Sequence, residues 1–218
     1  MKIFFSVIIL SFNRSKLLKR ALDSVAKQTF KDYEIVIVDG GSGQTSQIVS
    51  NKHKTKPRYF KVINEGIGKV RDFGLKKAKG EWTAFLDDDD EYLPEHLQTR
   101  FAIIKKNPKL ELLYNGFKTI GSQYVPDLLR PGKFLHVDDK AIFHAGTAVV
   151  KTKKAIAIGG FSKGISKYYP DNFLKVAKRA GLKTARVKKR TYIYRRFRDS
   201  YTAKFAKNYP NEIEFRQS

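Results

Sequence analysis

Four short runs of apolar and β-branched residues alternate with helical segments in the first part of the chain. The runs cover residues 3–10, 33–38, 58–63 and 82–86, and residues 17–26 repeat apolar side chains at helical spacing. Near-continuous apolar runs are typical of strands that are buried on both faces. Strands that alternate with helices predict βαβ units, a parallel sheet and right-handed crossovers. The sequence therefore predicts an α/β fold with a mainly parallel central sheet flanked by helices.

The other elements follow from the same patterns. Further helices are predicted at residues 45–52, 69–78, 94–106 and 173–180, with glycines at 80 and 181 as helix stops. Later segments are predicted as a hairpin-like pair (110–117 with 118–125, around Gly121), a loop (126–140) and two strands (184–187 and 192–197). No repeat and no linker interrupts the chain, so a single domain is predicted over residues 1–218.

Acidic residues stand where two of the predicted strands end. Asp39 follows the second run, and four consecutive aspartates, residues 87–90, follow the fourth. Ligands of open parallel sheets bind beyond the carboxyl ends of the strands. Adjacent carboxylates disfavour one another's ionisation, and a divalent cation such as Mg²⁺ or Mn²⁺ relieves that conflict. The alternative is an acidic loop that caps the helix starting near Pro94.

The charge of the chain is strongly positive and unevenly distributed. Lys and Arg number 44 against 21 Asp and Glu, a formal net charge of +23. Residues 183–198 hold eight basic residues and no acidic one. This imbalance predicts a polyanionic partner, either nucleic acid, an anionic membrane surface or an acidic glycan, with a merely solvated basic face as the alternative.

Other bulk features narrow the class. The chain has no cysteine, which excludes disulfides and thiolate chemistry and fits a reducing compartment. Its first apolar run continues into a charged segment without a small-residue cleavage site, so it is predicted to be a strand rather than a signal peptide. No run approaches the ~20 apolar residues that cross a bilayer. We expect a soluble, cytoplasmic protein, in the host cytoplasm if the gene belongs to a phage.

Several motifs in the first half resemble those of family-2 glycosyltransferases with the GT-A fold. They are SVIILSFNR at residues 6–14, ALDSV at 21–25 with QTF at 28–30, EIVIVDGGS at 34–42, NEG at 64–66 with VRD at 70–72, GEW at 80–82, and FLDDDD at 85–90 with Pro94. Order and spacing match over roughly residues 5–97. The resemblance implies a donor-binding half over residues 1–97 and an acceptor-binding half with a basic C-terminal segment over residues 98–218.

The resemblance also implies roles for the donor half. In the family an Asp-x-Asp motif binds the metal that holds the nucleotide-sugar diphosphate, which implies Asp89 as the direct ligand of Mn²⁺ or Mg²⁺. Asp87 and Asp88 then contact sugar, ribose or metal-bound water. The remaining donor-binding candidates are Ser11, Asn13, Arg14, Arg71 and Asp39. Asp39 would accept a hydrogen bond from the edge of the base, which points to uracil. Asp39 as an ordinary turn residue and Arg71 as a surface arginine are the open alternatives.

In the second half the resemblance implies a general base. The family supplies it after a Gly-Gly-Phe segment, here residues 159–161, and Asp171 matches that acid, with Pro170 in place of a first acidic residue. Asp171 as a plain helix cap is the alternative, and Asp138 or Asp139 is then next in line. Phosphate-binding candidates are Arg195, Arg196 and Arg198; acceptor-binding candidates are His144, Gly146, Lys188, Lys189 and Arg190. Ordinary packing is the alternative for His144.

These implications add up to an inverting, metal-dependent glycosyltransferase that moves a sugar from a nucleotide-sugar, UDP-linked by preference, to an acceptor hydroxyl. The basic charge favours hydroxymethylated bases in DNA as acceptor, as in phage-type modification. A lipid-linked or cell-envelope glycan at an anionic membrane is the alternative acceptor. Two other classes stay open: a metal-dependent phosphohydrolase, which also uses clustered aspartates, and a noncatalytic nucleic-acid-binding protein. Peripheral contact with an anionic membrane is compatible with the charge.

Overall fold

The computed structural model of the protein describes residues 3–41, 45–63, 66–126, 134–137, 143–162 and 173–196. The strands are β1 (Phe5–Ser11), β2 (Tyr33–Asp39), β3 (Arg58–Lys61), β4 (Trp82–Asp87), β5 (Glu91–Tyr92), β6 (Leu112–Tyr114), β7 (Phe117–Gly121), β8 (Tyr124–Pro126), β9 (Phe134–His136), β10 (Val149–Lys151), β11 (Thr184–Arg186) and β12 (Tyr192–Arg196). The helices are α1 (Ser15–Ala26), α2 (Thr45–Lys52), α3 (Ile67–Lys77), α4 (His96–Lys106), α5 (Thr152–Ala157) and α6 (Phe173–Arg179), with a 3-10 turn at Ala145–Thr147.

A seven-stranded sheet forms the centre, in the order β11-β6-β10-β4-β1-β2-β3. Its neighbouring strands are parallel except at β10, which runs antiparallel to both β4 and β6. The prediction of a mainly parallel sheet flanked by helices is confirmed. All seven residues of β1 are buried, as expected of a central strand covered on both faces.

Side chains of β1 alternate between two hydrophobic cores. Val7 and Ile9 belong to the core that α1 and α4 cover, and Ile8 and Leu10 belong to the core under α3, α5 and α6. Helix α3 approaches the sheet closely at Gly74, where a Cβ would lie 2.5 Å from the Cγ2 of Ile8. These packed layers fix the strand ends from which the site is built.

The predicted hairpin in the second half is wrong. Strand β6 pairs with β10 and β11 in the central sheet, whereas β7 pairs with β12 in a separate sheet of order β5-β12-β7. Asn115 and Gly116, both at positive φ (63° and 76°), turn the chain from one sheet into the other. Strand β8 pairs antiparallel with β9, and β9 lies inside the segment predicted as a loop.

No helix among the described residues is long and apolar enough to cross a membrane.

Candidate active site

The carboxyl ends of β2, β1 and β4 lie side by side at one edge of the sheet. Ser11 is in register with Asp39, and Leu10 is in register with Asp87. The chain turns directly after β4, where the Asp88 N–H donates to the Leu10 carbonyl (3.1 Å) and the Asp90 N–H to the Asp87 carbonyl (3.1 Å). The predicted meeting of acidic residues at strand ends is therefore observed.

Two arginines of the chain itself contact three of the four aspartates. Arg14 pairs with Asp88 and with Asp89, where its Nη1 lies 2.7 Å from the Asp89 Oδ2. Arg71, only 2% exposed, places its Nη2 2.9 Å from the Asp87 Oδ1. Two arginines thus offset part of the charge of the four aspartates, and the cluster keeps an excess of negative charge that a cation would relieve.

Asp90 is buried and its carboxylate is held by strand β12. The Tyr192 hydroxyl donates to Oδ2 at 2.6 Å, and the backbone N–H of Arg195 donates to Oδ1 at 2.8 Å. Burial, reinforced by Asp89 and Asp87, raises the pKa of Asp90 well above its ordinary range. Burial also raises the pKa of Asp88 to about 7, although Arg14 opposes the shift.

His144 reaches the same cluster from the second half of the chain. One ligand atom each of Asp87, Asp90 and His144 lie within 4.8 Å of one another, and the His144 Nε2 is 3.9 Å from the Asp90 Oδ2. Burial lowers the pKa of His144 to about 4, so the imidazole is neutral at neutral pH and can offer a lone pair. Two carboxylates and an imidazole are suitable ligands for a divalent cation.

Gly146 packs tightly against this cluster and leaves no room for a side chain. A Cβ there would lie 2.6 Å from the Tyr192 hydroxyl, 2.8 Å from the His144 Cε1 and 3.0 Å from the Asp87 Oδ2. Real Cβ atoms do not approach other atoms so closely, so a side chain at this position would displace the cluster. The predicted candidates His144 and Gly146 therefore both border the aspartates.

Asp39 is buried and its carboxylate is already engaged. Its Oδ1 accepts from the Gly41 N–H (2.8 Å) and its Oδ2 from the Tyr59 hydroxyl (2.8 Å). Asn13, at φ 55°, stands against Gly41, where a Cβ would overlap its side chain. Ser11, Asn13 and Asp39 are thus brought together as predicted, while the adjoining residues 42–44 lie outside the described residues.

The basic candidates are only partly at the site. The Arg195 guanidinium pairs with Glu91. Arg196 is buried, with its Nη1 3.2 Å from the Tyr194 hydroxyl. Lys188, Lys189 and Arg190 form an exposed loop between β11 and β12, and Arg198 lies outside the described residues.

Asp171, Asp138 and Asp139 also lie outside the described residues, but the flanks of the segment that contains Asp171 are visible. Asp72 of α3 accepts from the Phe161 N–H (2.6 Å) and the Ser162 N–H (3.0 Å). The Phe161 and Phe173 rings stack with centroids 3.9 Å apart. Both flanks therefore meet beside α3, one residue from Arg71.

Sequence reasoning missed three aromatic residues of this site. Phe12 is 49% exposed directly beside the cluster, and its N–H donates to the Asp88 Oδ2 at 3.2 Å. Tyr59 holds Asp39 and Tyr192 holds Asp90. Only Phe12 could have been found from the sequence, since it lies inside the motif at residues 6–14. Neither tyrosine lies inside a motif.

The arrangement of strand ends and aspartates is that of a GT-A glycosyltransferase domain. The sequence profile described as glycosyl transferase family 2 matches residues 6–162, and the chain belongs to this family. The S. aureus protein TarS, solved as residues 1-349 in complex with UDP-GlcNAc, superposes with a TM-score of 0.74 at 24% identity, over 92% of this chain and 60% of that one.

Two curated relatives show the extent of the similarity. An uncharacterized glycosyltransferase of Rickettsia felis is 29% identical over 174 residues, which cover 73% of this chain and 29% of the relative. The GalNAc(5)-diNAcBac-PP-undecaprenol beta-1,3-glucosyltransferase of Campylobacter jejuni is 40% identical over 99 residues, 43% of this chain and 32% of the relative. The chain thus spans about a third of the length of these relatives.

Proposed function

We propose that the chain transfers a sugar from a nucleotide-sugar, UDP-linked, to an acceptor hydroxyl with inversion. The observation that carries the proposal is the aspartate cluster at the shared carboxyl edge of β1, β2 and β4, where Asp39 also lies. The complex of TarS with UDP-GlcNAc supports a UDP-sugar as donor. In this proposal Asp39 recognises the base edge, while Ser11, Asn13 and Arg14 contact the nucleotide.

The donor diphosphate requires a cation, and the residues present fit one. Asp87, Asp90 and His144 bring one ligand atom each within 4.8 Å of one another, and Asp89, with 17% of its side chain exposed, stands between Asp87 and Asp90 in the chain. Mn²⁺ or Mg²⁺ bound there supplies positive charge that stabilises the departing nucleoside diphosphate. Arg71 keeps the Asp87 carboxylate oriented through two contacts, at 2.9 and 3.2 Å.

The chemical step is a displacement at the anomeric carbon. The acceptor oxygen forms a bond to that carbon while the bond to the diphosphate oxygen breaks, and the electron pair leaves with the nucleoside diphosphate. The acceptor proton passes to a general base on the opposite face, for which Asp171 is the candidate. Its position after the Gly-Gly-Phe segment that Asp72 holds supports this role.

For the acceptor we favour a hydroxyl of a lipid-linked glycan at an anionic membrane. The name of the Campylobacter jejuni relative, a glucosyltransferase for an undecaprenol-linked glycan, supports this choice. The net charge of +23 suits the diphosphate of such a carrier and an anionic membrane surface. Hydroxymethylated DNA bases, favoured on charge alone, become the second candidate, because the charge suits phosphate backbones equally well.

A donor screen tests the proposal. UDP- and GDP-sugars are incubated with Mn²⁺ and with either a polyprenyl-diphosphate saccharide in anionic vesicles or hydroxymethylated duplex DNA, and the released nucleoside diphosphate is measured. We expect release from a UDP-sugar that depends on Mn²⁺ and is stimulated by the lipid-linked saccharide. Stimulation by DNA alone would select the second acceptor. DNA binding without release from any donor would identify a noncatalytic binding protein.

A further inference from the structure

Arg14 acts as an internal counter-ion of the aspartate cluster. Its guanidinium pairs with Asp88, which is fully buried, and its Nη1 lies 2.7 Å from the Asp89 Oδ2. A guanidinium is a planar fork and can hold two carboxylates at once. One side chain therefore occupies oxygen atoms of two adjacent aspartates, one of which is the expected metal ligand.

The Arg14 side chain is held mainly by its pairs with Asp88 and Asp89. It stands at the boundary of α1, after Asn13 at φ 55°, and makes no side-chain hydrogen bond as a helix cap. Its Nε has no partner among the described residues, and 25% of its side chain is exposed. The guanidinium can therefore leave the aspartates without disturbing the hydrophobic cores.

A divalent cation and the Arg14 guanidinium compete for the Asp89 carboxylate. The guanidinium already uses the Asp89 Oδ2, the more accessible of the two partner carboxylates. Two cationic groups a few ångströms apart in a partly buried site repel one another strongly. Binding of a cation at Asp89 therefore favours release of this contact by Arg14.

We propose that Arg14 is a positioning residue that holds Asp88 and Asp89 in the metal-free protein, leaves Asp89 when the cation binds, and then pairs with the donor diphosphate. The proposal rests on the proposed function, because it assumes a cation at Asp89. Arg14 thereby holds the adjacent carboxylates in place before the donor arrives, and it competes with the metal for Asp89.

The test is the affinity for Mn²⁺ alone, measured from the electron paramagnetic resonance signal of the free ion at mildly alkaline pH. Arg14→Gln should bind Mn²⁺ about tenfold more tightly than the wild type, since a charge-assisted contact no longer has to be broken. Arg20→Gln is the matched control. Arg20 is a neighbouring arginine whose Nη2 contacts the backbone oxygen of Asp89 (2.7 Å) rather than a carboxylate of the cluster, so its loss should leave the affinity near that of the wild type.

If Arg14→Gln and the wild type bind Mn²⁺ with equal affinity, this proposal is overturned and the proposed function is not. The same holds if Arg20→Gln gains as much Mn²⁺ affinity as Arg14→Gln. Failure of every protein to bind Mn²⁺ would overturn it together with the metal part of the proposed function. Should Arg14→Gln not fold, Arg14→Lys carries the test. Lysine keeps the charge but cannot hold two carboxylates as a fork, so Mn²⁺ should again bind more tightly than to the wild type.

Discussion

Asp87 and Asp89 have more accessible carboxylates than Asp88 and Asp90. Asp88 and Asp90 are fully buried and committed to Arg14, Tyr192 and the backbone, whereas Asp87 exposes 20% and Asp89 17% of its side chain. A cation that enters from solvent therefore reaches the carboxylates of Asp87 and Asp89 before those of Asp88 and Asp90. Burial raises the pKa of Asp89, and the positive charge of Arg14 opposes that shift. The contact with Arg14 therefore favours the ionised form of the Asp89 carboxylate.

Replacing Asp89 with asparagine should abolish Mn²⁺-dependent donor binding and turnover. Stability should change little, because the loss of the Arg14 pair is offset by the lower desolvation cost of an amide. Isothermal titration with UDP-sugar and Mn²⁺ measures the first effect, and thermal unfolding measures the second. Asp23→Asn, the same change at a surface aspartate paired with Lys19, is the control. Turnover that still responds to Mn²⁺ would reject Asp89 as a ligand.

Asp171 is the second residue whose role can be tested by a single substitution. Asp171→Asn should retain donor and Mn²⁺ binding but lose transfer by roughly 10²–10⁴-fold, the usual contribution of a general base. Asparagine also caps helices, so the free energy of unfolding should stay near that of the wild type. Single-turnover transfer assays check the loss. Near-normal transfer would leave Asp171 as a helix cap, and Asp138→Asn and Asp139→Asn would be measured next.

At the residue scale the sequence predicted where the site lies better than how its side chains pair. Asp39 and the aspartate cluster could be placed together because parallel strands end at one edge. The partner choices of Arg14 and Arg71 could not be predicted, because they depend on the path of the loop after β1 and on the packing of α3. His144 joins Asp87 and Asp90 only through the short turn before β10, which has no pattern of its own.

Helix α4 begins with a buried histidine that the proposed chemistry does not use. The His96 ring stacks on Tyr92 with centroids 3.6 Å apart, and its Nδ1 lies 3.2 Å from the Thr191 Oγ1. Burial, with the nearby Arg100 charge, lowers the pKa of His96 well below its ordinary value of 6.5. The folded protein therefore keeps His96 neutral at a pH where the unfolded chain binds a proton.

The contribution of His96 to the free energy of unfolding should accordingly fall as the pH drops below about 6.5. His144 acts in the same direction, whereas Asp88, Asp89 and Asp90, whose pKa values burial raises, stabilise the folded state as the pH falls. His96→Phe, which keeps a stacked ring, isolates one contribution. Between pH 4 and 6.5 its free energy of unfolding should change with pH by up to about 1.4 kcal/mol per pH unit less in the destabilising direction than that of the wild type. Parallel curves for the two proteins would contradict this account.

Elements of the first half were predictable because long-range context and local pattern agree there. Helix α2 was predicted at its observed bounds, and β2 within one residue. Strand β10, with only three residues, gives no periodic signal, and its antiparallel insertion between β4 and β6 depends on the whole sheet. The hairpin prediction failed because residues 112–121 alternate like one pair of strands, while positive φ at Asn115 and Gly116 sends them to different sheets.

At the scale of the whole molecule, most of the excess basic charge lies in the second half of the chain, which contains the proposed acceptor-binding residues. Residues 101–218 hold 26 basic and 8 acidic residues, against 18 and 13 in residues 1–100. The loop of Lys188, Lys189 and Arg190 is exposed, and it follows β11 at the same edge of the sheet as the aspartate cluster. Phosphates of a lipid carrier or of DNA held near this loop would lie on the side of the molecule where the sugar is transferred.

Replacing Lys188, Lys189 and Arg190 together with glutamine should weaken binding to anionic vesicles and to duplex DNA and flatten its salt dependence. For DNA the log–log slope is about −0.9 per phosphate contact, so each lost contact should reduce the slope by that amount.

The matched control replaces Lys105, Lys106 and Lys109, three exposed lysines at the far end of α4, where β6 begins rather than ends. Fluorescence anisotropy and vesicle sedimentation over a salt series measure both variants. Because phosphate contacts position the partner without reading it, any acceptor preference should survive the loop substitutions. If the two triple variants lose affinity equally, the basic charge acts as a diffuse field and the loop is not the acceptor-binding surface.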